Sequence, residues 1–560
     1  YFNKKEFVTS PQLEYFEKEK GDSTLRIFVQ GASSSAGFPY RNASFPQLLE
    51  QRLQFAFPEY NIEVINTSIV ATNSYTWLDL SYDILELEPD AVIIYGGHNE
   101  YYGALGVASS QSRGSNPALI NLYLKLKEYR TVQFISSLVR NAAQIGVDLK
   151  EGDASLMSKM VREQEIPLGS ELYENGVMQY AFNMERLLKN YRENNIPVFT
   201  SNLVSNLKDF KPFLSSDTPP SANEAFLKGK DAMKGCNYLE AARYFSKARD
   251  LDLLRFRASG AMDSVVQQLS KEHGAKFIDI KSLFEDEAEF GIVGNDLLHE
   301  HVHPKLKGQR ILADAFYEPL SSYLREDLDL LSSEKSDFEY SIAKADSLYA
   351  DLLIAQMMPN WPFLREDSSE TIDQGSQVSQ ILAGRVPWYQ VLLDSYYAQL
   401  KEDPEEAIAT AKVYLQDFPH QSQAYELLLD AFLISERFSE GDSLLKQMPQ
   451  NLIKPENYVS FSEKLIQSAE YLSAQNKAQT LARKFPQYKL FERKEGFLNA
   501  IVKYKTTSIQ ELTETTLLDA LEGLIFFEKK EEARGLIDQF RNKFGQNERL
   551  TALERRLRLI

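Results

Sequence analysis

The chain has 560 residues, enough for several domains that each bury a core. Its composition, 43% hydrophobic and 25% charged, is ordinary for a soluble protein, and its net charge of −18 opposes general affinity for nucleic acid or an anionic membrane surface, because phosphate binding needs clustered Lys and Arg. The single cysteine, Cys236, excludes an internal disulfide framework and a cysteine-based zinc site, and no run reaches the ~20 apolar residues of a spanning helix.

Residues 1–23 form an extension ahead of the first strand signal. Short apolar runs then alternate with helical patterns as far as residue 330. The runs are Leu25–Val29, Ile62–Ile65, Ala91–Tyr95, Pro197–Thr200 and Lys276–Ile280. Each is β-branched or aromatic and bounded by Gly, Asn or Pro. Continuous apolar runs between helices mark parallel strands buried on both faces. Residues 24–330 therefore read as a three-layer α/β domain. Ligand sites in such sheets lie at the carboxyl ends of strands. Ser33, the segment Asn66-Thr67-Ser68 and the segment Gly96-Gly97-His98-Asn99 all fall there.

Two stretches interrupt the alternation. Residues 101–170 are mixed polar and helical, and read as an insertion near the site mouth. Residues 221–255 place Gly229, Tyr238, Ala241, Phe245 and Ala248 at the small-and-large positions of a tetratricopeptide-like helical hairpin. Beyond 330 the strand signals stop, and residues 331–560 read as an all-α domain. Ala407 and Gly441 stand 34 residues apart, the tetratricopeptide spacing, and Ala533 repeats the same small position. Phe418-Pro419 and Phe485-Pro486 end helices alike, while residues 451–474 fall off the period. A nonrepetitive helical bundle is the alternative. Stacked helical repeats would offer a surface for a protein partner.

Ser33, in Gly31-Ala32-Ser33-Ser34-Ser35-Ala36-Gly37, ends the first apolar run between two glycines. That is how a strand delivers a nucleophile to a sheet edge; the same residue type also suits a helix N-cap. A serine hydroxyl needs a base, and the chain has only six histidines. His303 precedes Pro304, which can open a helix running through Ile311, Leu312 and Phe316. This places His303 in the loop beside the sheet edge, with Glu300 three residues earlier able to reach its other ring nitrogen. His299-Glu300-His301-Val302-His303 also matches the zinc-peptidase pattern His-Glu-x-x-His. That motif needs a continuing helix, which Pro304 disfavours at His303. No metal or other cofactor is expected; His299 and His301 are read as loop residues, solvated or packed on the site rim. Asn99 can donate its amide to a developing oxyanion or simply build a turn. The Ser68 N–H could point to the same place.

Together Ser33, Ser68, Asn99 and Glu300-x-x-His303-Pro304 resemble the SGNH (GDSL-type) hydrolase superfamily over residues 24–320. The phrases Ala36-Gly37-Phe38-Pro39-Tyr40 and Gly97-His98-Asn99-Glu100-Tyr101-Tyr102-Gly103 are similar to a bacterial subgroup that fuses this fold to tetratricopeptide repeats. Ala32 stands where the family has Asp, Ser68 where it has the oxyanion glycine, and Glu300 where it has Asp, which leaves Asp296 as the alternative third triad member. The resemblance implies an esterase or deacetylase. Ser33 would be the nucleophile, His303 the base and Glu300 its orienting acid, with Ser33, Ser68 and Asn99 holding the oxyanion. The implied substrate is an ester-bearing small molecule, glycan or lipid, and an O-acyltransferase would use the same residues. A catalytically inactive domain within an interaction scaffold is the alternative of another class. The chain begins at Tyr1, so a signal peptide or anchor upstream is compatible with it. The expected location is extracytoplasmic.

Overall fold

The computed structural model describes residues 14–112, 114–126, 129, 156–332, 338–364, 386–449, 451, 452, 454–484 and 489–560. The pair Phe485-Pro486 and most of the middle of the 101–170 insertion lie outside them.

The chain divides into two compact units, Tyr1–Trp388 and Tyr389–Ile560. In the first, five strands form one sheet: β1 (Thr24–Gly31), β2 (Asn61–Asn66), β3 (Ala91–Tyr95), β4 (Val198–Ser201) and β5 (Lys276–Ile278). All neighbours run parallel, in the order β2-β1-β3-β4-β5. Ile27 pairs with Val64 on one side and Ala91 on the other. β1 buries every residue after its first, and β3 buries all of its residues. That is the reason their sequences are continuous rather than alternating apolar runs. The last run ends earlier than its apolar pattern, because Ile280 opens a helix (Ile280–Glu287) capped by the Asp279 side chain.

Helices flank the sheet in two groups. In chain order they include α1 (Ser33–Ala36), α2 (Phe45–Ala56), α3 (Ser74–Leu85), α4 (Glu171–Glu193), α5 (Ala222–Lys234), α6 (Tyr238–Leu251), α7 (Gly260–His273), α8 (Leu306–Glu326) and α9 (Lys344–Met357). α2 packs against α8, with Phe45 stacked on Phe316 at 5.4 Å between centroids. α4 packs against both α3 and α7. α5 and α6 form the hairpin inserted at 221–255. A Cβ on Gly229 would lie 2.7 Å from the Phe245 ring, so the small-against-large pairing read from the sequence is a steric requirement. Ala241 and Phe245 bury themselves against Ile292 and Leu207 of the same unit.

The first unit extends further at both ends than the 24–330 boundaries suggest. Residues 14–23 pack onto β1: Arg26, fully buried, donates to the Glu17 and Lys18 carbonyls, and Lys20 pairs with Asp90 at 2.6 Å. Beyond α8, α9 returns to the sheet's carboxyl edge. The buried Asp346 carboxylate accepts the backbone N–H groups of Arg41 and Asn42 at 2.7 and 3.0 Å, and the Trp388 indole donates to Asn42 at 3.1 Å. The second unit is helical throughout its described residues, with consecutive helices from Pro404–Asp417 to Glu548–Leu559. Ala407, Ala474 and Ala533 are fully buried, and Gly441 is buried with space for a Cβ only 3.0 Å from the Phe461 ring. Among the described residues no helix is long and apolar enough to cross a membrane.

Candidate active site

The strand order brings the site together. β1 lies between β2 and β3, so the loop after β1 leaves the sheet where its two neighbours' loops also leave it. In the order 2-1-3-4-5 this is the topological switch point, the crevice that open α/β sheets use for ligands.

Ser33 opens α1 directly after Gly31 and Ala32. Its N–H is among those that a helix start leaves without an intrahelical acceptor. Two glycines make the turn. A Cβ on Gly31 would meet Ser35 Oγ at 2.0 Å and the Tyr95 carbonyl at 2.1 Å. Gly37 ends α1 at φ +88°, and a Cβ there would lie 2.1 Å from that of Ser44. Both positions exclude a side chain on sterics, and Gly37 on backbone conformation as well.

The segment 298–304 delivers the base. Leu298 and Pro304 form an isolated antiparallel bridge, His299 N–H donates to the His303 carbonyl at 2.9 Å, and Lys305 N–H to the Leu297 carbonyl at 2.8 Å. Pro304 therefore closes a loop instead of opening the helix, and α8 begins at Leu306. The pinch folds Glu300 under its own loop, where its carboxylate accepts the backbone N–H of His301 at 2.7 Å and that of His303 at 3.0 Å.

Within this frame Ser33 Oγ and His303 Nε2 are 2.7 Å apart, and His303 Nδ1 is hydrogen-bonded to Glu300 Oε1. Serine, imidazole and carboxylate are thus joined in series. Ser33 is 8% exposed, His303 7% and Glu300 0%. Burial drives the His303 imidazole down to about 3, so it rests neutral, as a proton acceptor must. Ser34 Oγ donates to the Val302 carbonyl at 3.1 Å and fixes the two loops to each other.

The other sequence candidates separate. Asn99 stands half-buried in the loop after β3, and its side-chain amide makes no hydrogen bond with the described residues. Its carbonyl accepts the N–H groups of Tyr102 and Gly103. The Ser68 N–H donates to Asn66 Oδ1 at 3.2 Å, and the Ser68 hydroxyl is buried without a partner. Asp296 does not reach His303: it accepts the Glu289 N–H at 2.8 Å and lies 3.4 Å from Lys208 Nζ. His299 is tied through Nε2 to the Tyr40 hydroxyl at 3.0 Å.

Three neighbours have no role in the sequence reading, which places His301 only as a loop residue, solvated or packed on the site rim. His301 shares the Glu300 carboxylate, through Nδ1 to Oε2, and is packed rather than solvated. Glu100 is fully buried and accepts from Ser74 Oγ and Gln179 Nε2, both at 2.6 Å; burial raises it to about 7, and these bonds anchor the loop that carries Asn99. His98 Nδ1 accepts the Ala258 N–H at 3.1 Å, and burial drives the ring down to about 3. A carboxylate beside two imidazoles in His301-Val302-His303 is a signal the sequence does contain.

Among the described residues, Glu300, His301 and His303 form the one group whose donor atoms, all within 4.8 Å of one another, could hold a metal ion. This is not the His299-Glu300-His303 set of the zinc-peptidase pattern. Its carboxylate oxygens and Nδ1 atoms are already bonded to one another, and His303 Nε2 to Ser33, so a cation would compete with the contacts of the Ser–His pair.

No protein-family model matches the chain, and no curated protein does. Among solved structures, the chain is similar to the acetylxylan esterase Axe2 from Geobacillus stearothermophilus, at 14% identity and a TM-score of 0.27, over 54% of this chain and 94% of that one. It is similar to the psychrotrophic esterase EstA from Pseudoalteromonas sp. at 15% identity and a TM-score of 0.27, over 55% and 100%. A GDSL-like lipase from Bacteroides thetaiotaomicron matches at 11% identity and a TM-score of 0.26, over 53% and 89%. Likeness at this level carries no weight beside the geometry of Ser33, His303 and Glu300.

Proposed function

We propose that the first unit is a serine hydrolase of the SGNH kind, acting on ester bonds through an acyl-serine intermediate. One observation carries this reading: Ser33 Oγ lies 2.7 Å from His303 Nε2, with Glu300 bonded behind the imidazole. In the proposed reaction Ser33 Oγ attacks the ester carbonyl while His303 Nε2 takes the hydroxyl proton. Glu300 holds the ring and stabilises the imidazolium. The Ser33 N–H and the Asn99 amide donate to the oxyanion; the Ser68 N–H, engaged by Asn66, is left out of this set. His303 returns the proton to the leaving alkoxide, and water, activated by the same imidazole, releases the acid. Asp296 has no part, since Lys208 and the Glu289 N–H hold it.

The substrate class proposed is an ester on a small molecule, glycan or lipid outside the cytoplasm. Transfer of the acyl group to a sugar hydroxyl would use the same steps until deacylation, and the product separates it from hydrolysis. The intact Ser33–His303–Glu300 series favours a working site over an inactive scaffold. The helices of the second unit are proposed to be tetratricopeptide-like repeats that bind a protein partner, on the burial of small residues at Ala407, Gly441 and Ala533.

Hydrolysis of p-nitrophenyl acetate tests the reading. Wild type is expected to release p-nitrophenol catalytically and Ser33→Ala to fall to background. Equal rates from the two proteins would refute it.

A further inference from the structure

Catalysis as proposed uses Glu300 Oε1 and leaves Oε2 to a second imidazole. We infer that His301 is a positioning residue for the Ser33–His303 pair, holding the Glu300 carboxylate by two N–H donors so that its other oxygen faces only His303. The inference rests on the hydrolase reading above and concerns a residue that touches neither substrate nor nucleophile.

The donor arrangement is symmetric. Oε1 takes the backbone N–H and Nδ1 of His303, and Oε2 takes the backbone N–H and Nδ1 of His301. A carboxylate at 0% exposure needs every lone pair answered, because an unpaired buried charge is costly. With both oxygens filled, rotation about the carboxylate's own axis would break all four bonds at once. His301 is itself held still. Its ring lies 5.2 Å from Phe213, 5.4 Å from Phe363 and 5.8 Å from Phe210, centroid to centroid, and stands at 89° to the His303 ring. Phe38 packs on the opposite partner, 4.7 Å from the His303 ring. Apolar walls thus fix both imidazoles while one carboxylate fixes their Nδ1 atoms. Because that carboxylate accepts, His301 carries its proton on Nδ1.

The charged or titratable groups facing His301 are Glu300 and His303 on its own loop, His98 from the loop after β3 and Arg257 ahead of α7. The faces supplied by Phe210, Phe213, Phe256 and Phe363 are apolar. Removing the His301 donor concentrates the carboxylate's charge on Oε1. That stabilises the His303 imidazolium, raises the pKa of the base and moves the acid limb of kcat/KM to higher pH.

His301→Phe keeps a ring in the aromatic cage and removes the donor; His301→Asn keeps an N–H near the Nδ1 position. The experiment compares kcat, KM and the pH profile for p-nitrophenyl acetate in wild type and both variants, with thermal unfolding of each. The expected result is a folded Phe variant with kcat lowered about 10- to 100-fold, KM little changed and the acid limb shifted upward, and an Asn variant restored to within severalfold of wild type. A folded Phe variant with wild-type kcat and limb would overturn the inference, as would two variants equally impaired with unmoved limbs, the mark of a structural role. If the Phe variant does not fold, the Asn variant decides: near-wild-type kcat and limb support the inference, and loss of kcat overturns it. A wild type inactive towards both this ester and a fluorophosphonate probe would remove the hydrolase reading itself, a separate result.

Discussion

The Ser34 hydroxyl donates to the Val302 carbonyl at 3.1 Å, one residue along from Ser33 and one residue before His303. Nucleophile and base come from positions 270 apart in the chain, and this neighbouring bond locks their two loops in register. Ser34→Ala removes the donor and leaves a buried carbonyl unanswered, which costs about 1–3 kcal/mol of stability. The expected outcome is a lower Tm by calorimetry together with a reduced kcat. An unchanged Tm would show that the loops are held by other contacts.

Glu300 and Asp296 give opposite expectations. Glu300→Gln turns an acceptor oxygen towards an imidazole that needs it into an amide, and loss of the correct tautomer is expected to lower kcat by up to ~10⁴-fold. Asp296→Asn is expected to leave kcat within about threefold, because Asp296 is bonded to the Glu289 N–H and lies beside Lys208 rather than His303. Steady-state kinetics on the two variants checks this. A reversed order would make Asp296 the orienting acid.

Asn99→Ala is expected to lower kcat ~100- to 1000-fold, the cost of losing one oxyanion donor, about 2.7–4 kcal/mol. KM should change little, since the donor acts on charge that develops in the transition state. Measured kcat within threefold of wild type would take Asn99 out of the site.

The pH dependence follows from burial of His303. The base must be neutral, so kcat/KM falls as pH drops through its pKa in the free protein. Burial lowers that pKa from 6.5 to about 3, so the acid limb is expected below 6.5 and kcat/KM should stay flat from there to neutrality. A pH–rate profile on p-nitrophenyl acetate measures it. A limb at or above 6.5 would show that the imidazole is not held neutral by its surroundings.

Much of this site was legible in the sequence because its parts are local. A buried strand writes itself as an unbroken apolar run, as in Leu25–Val29 and Ala91–Tyr95, and a sharp turn writes itself as glycine, as at Gly31 and Gly37. What was not legible depends on contacts between distant segments. Pro304 looks like a helix start until Leu298 bridges to it. Ser68 looks like a free donor until the Asn66 side chain takes its N–H. α9 has the same helical pattern as the residues after it, and distant contacts assign it to the first unit rather than to a domain beginning at 331: Asp346 on the Arg41 and Asn42 N–H groups, and Ala350 packed with Tyr40 and Ala43.

Reaction with a fluorophosphonate probe, followed by peptide mass spectrometry, tests the central claim most directly. The account predicts one covalent adduct, on Ser33, that forms far more slowly in His303→Ala and not at all in Ser33→Ala. An adduct on another residue, or labelling at Ser33 that is indifferent to loss of His303, would contradict it.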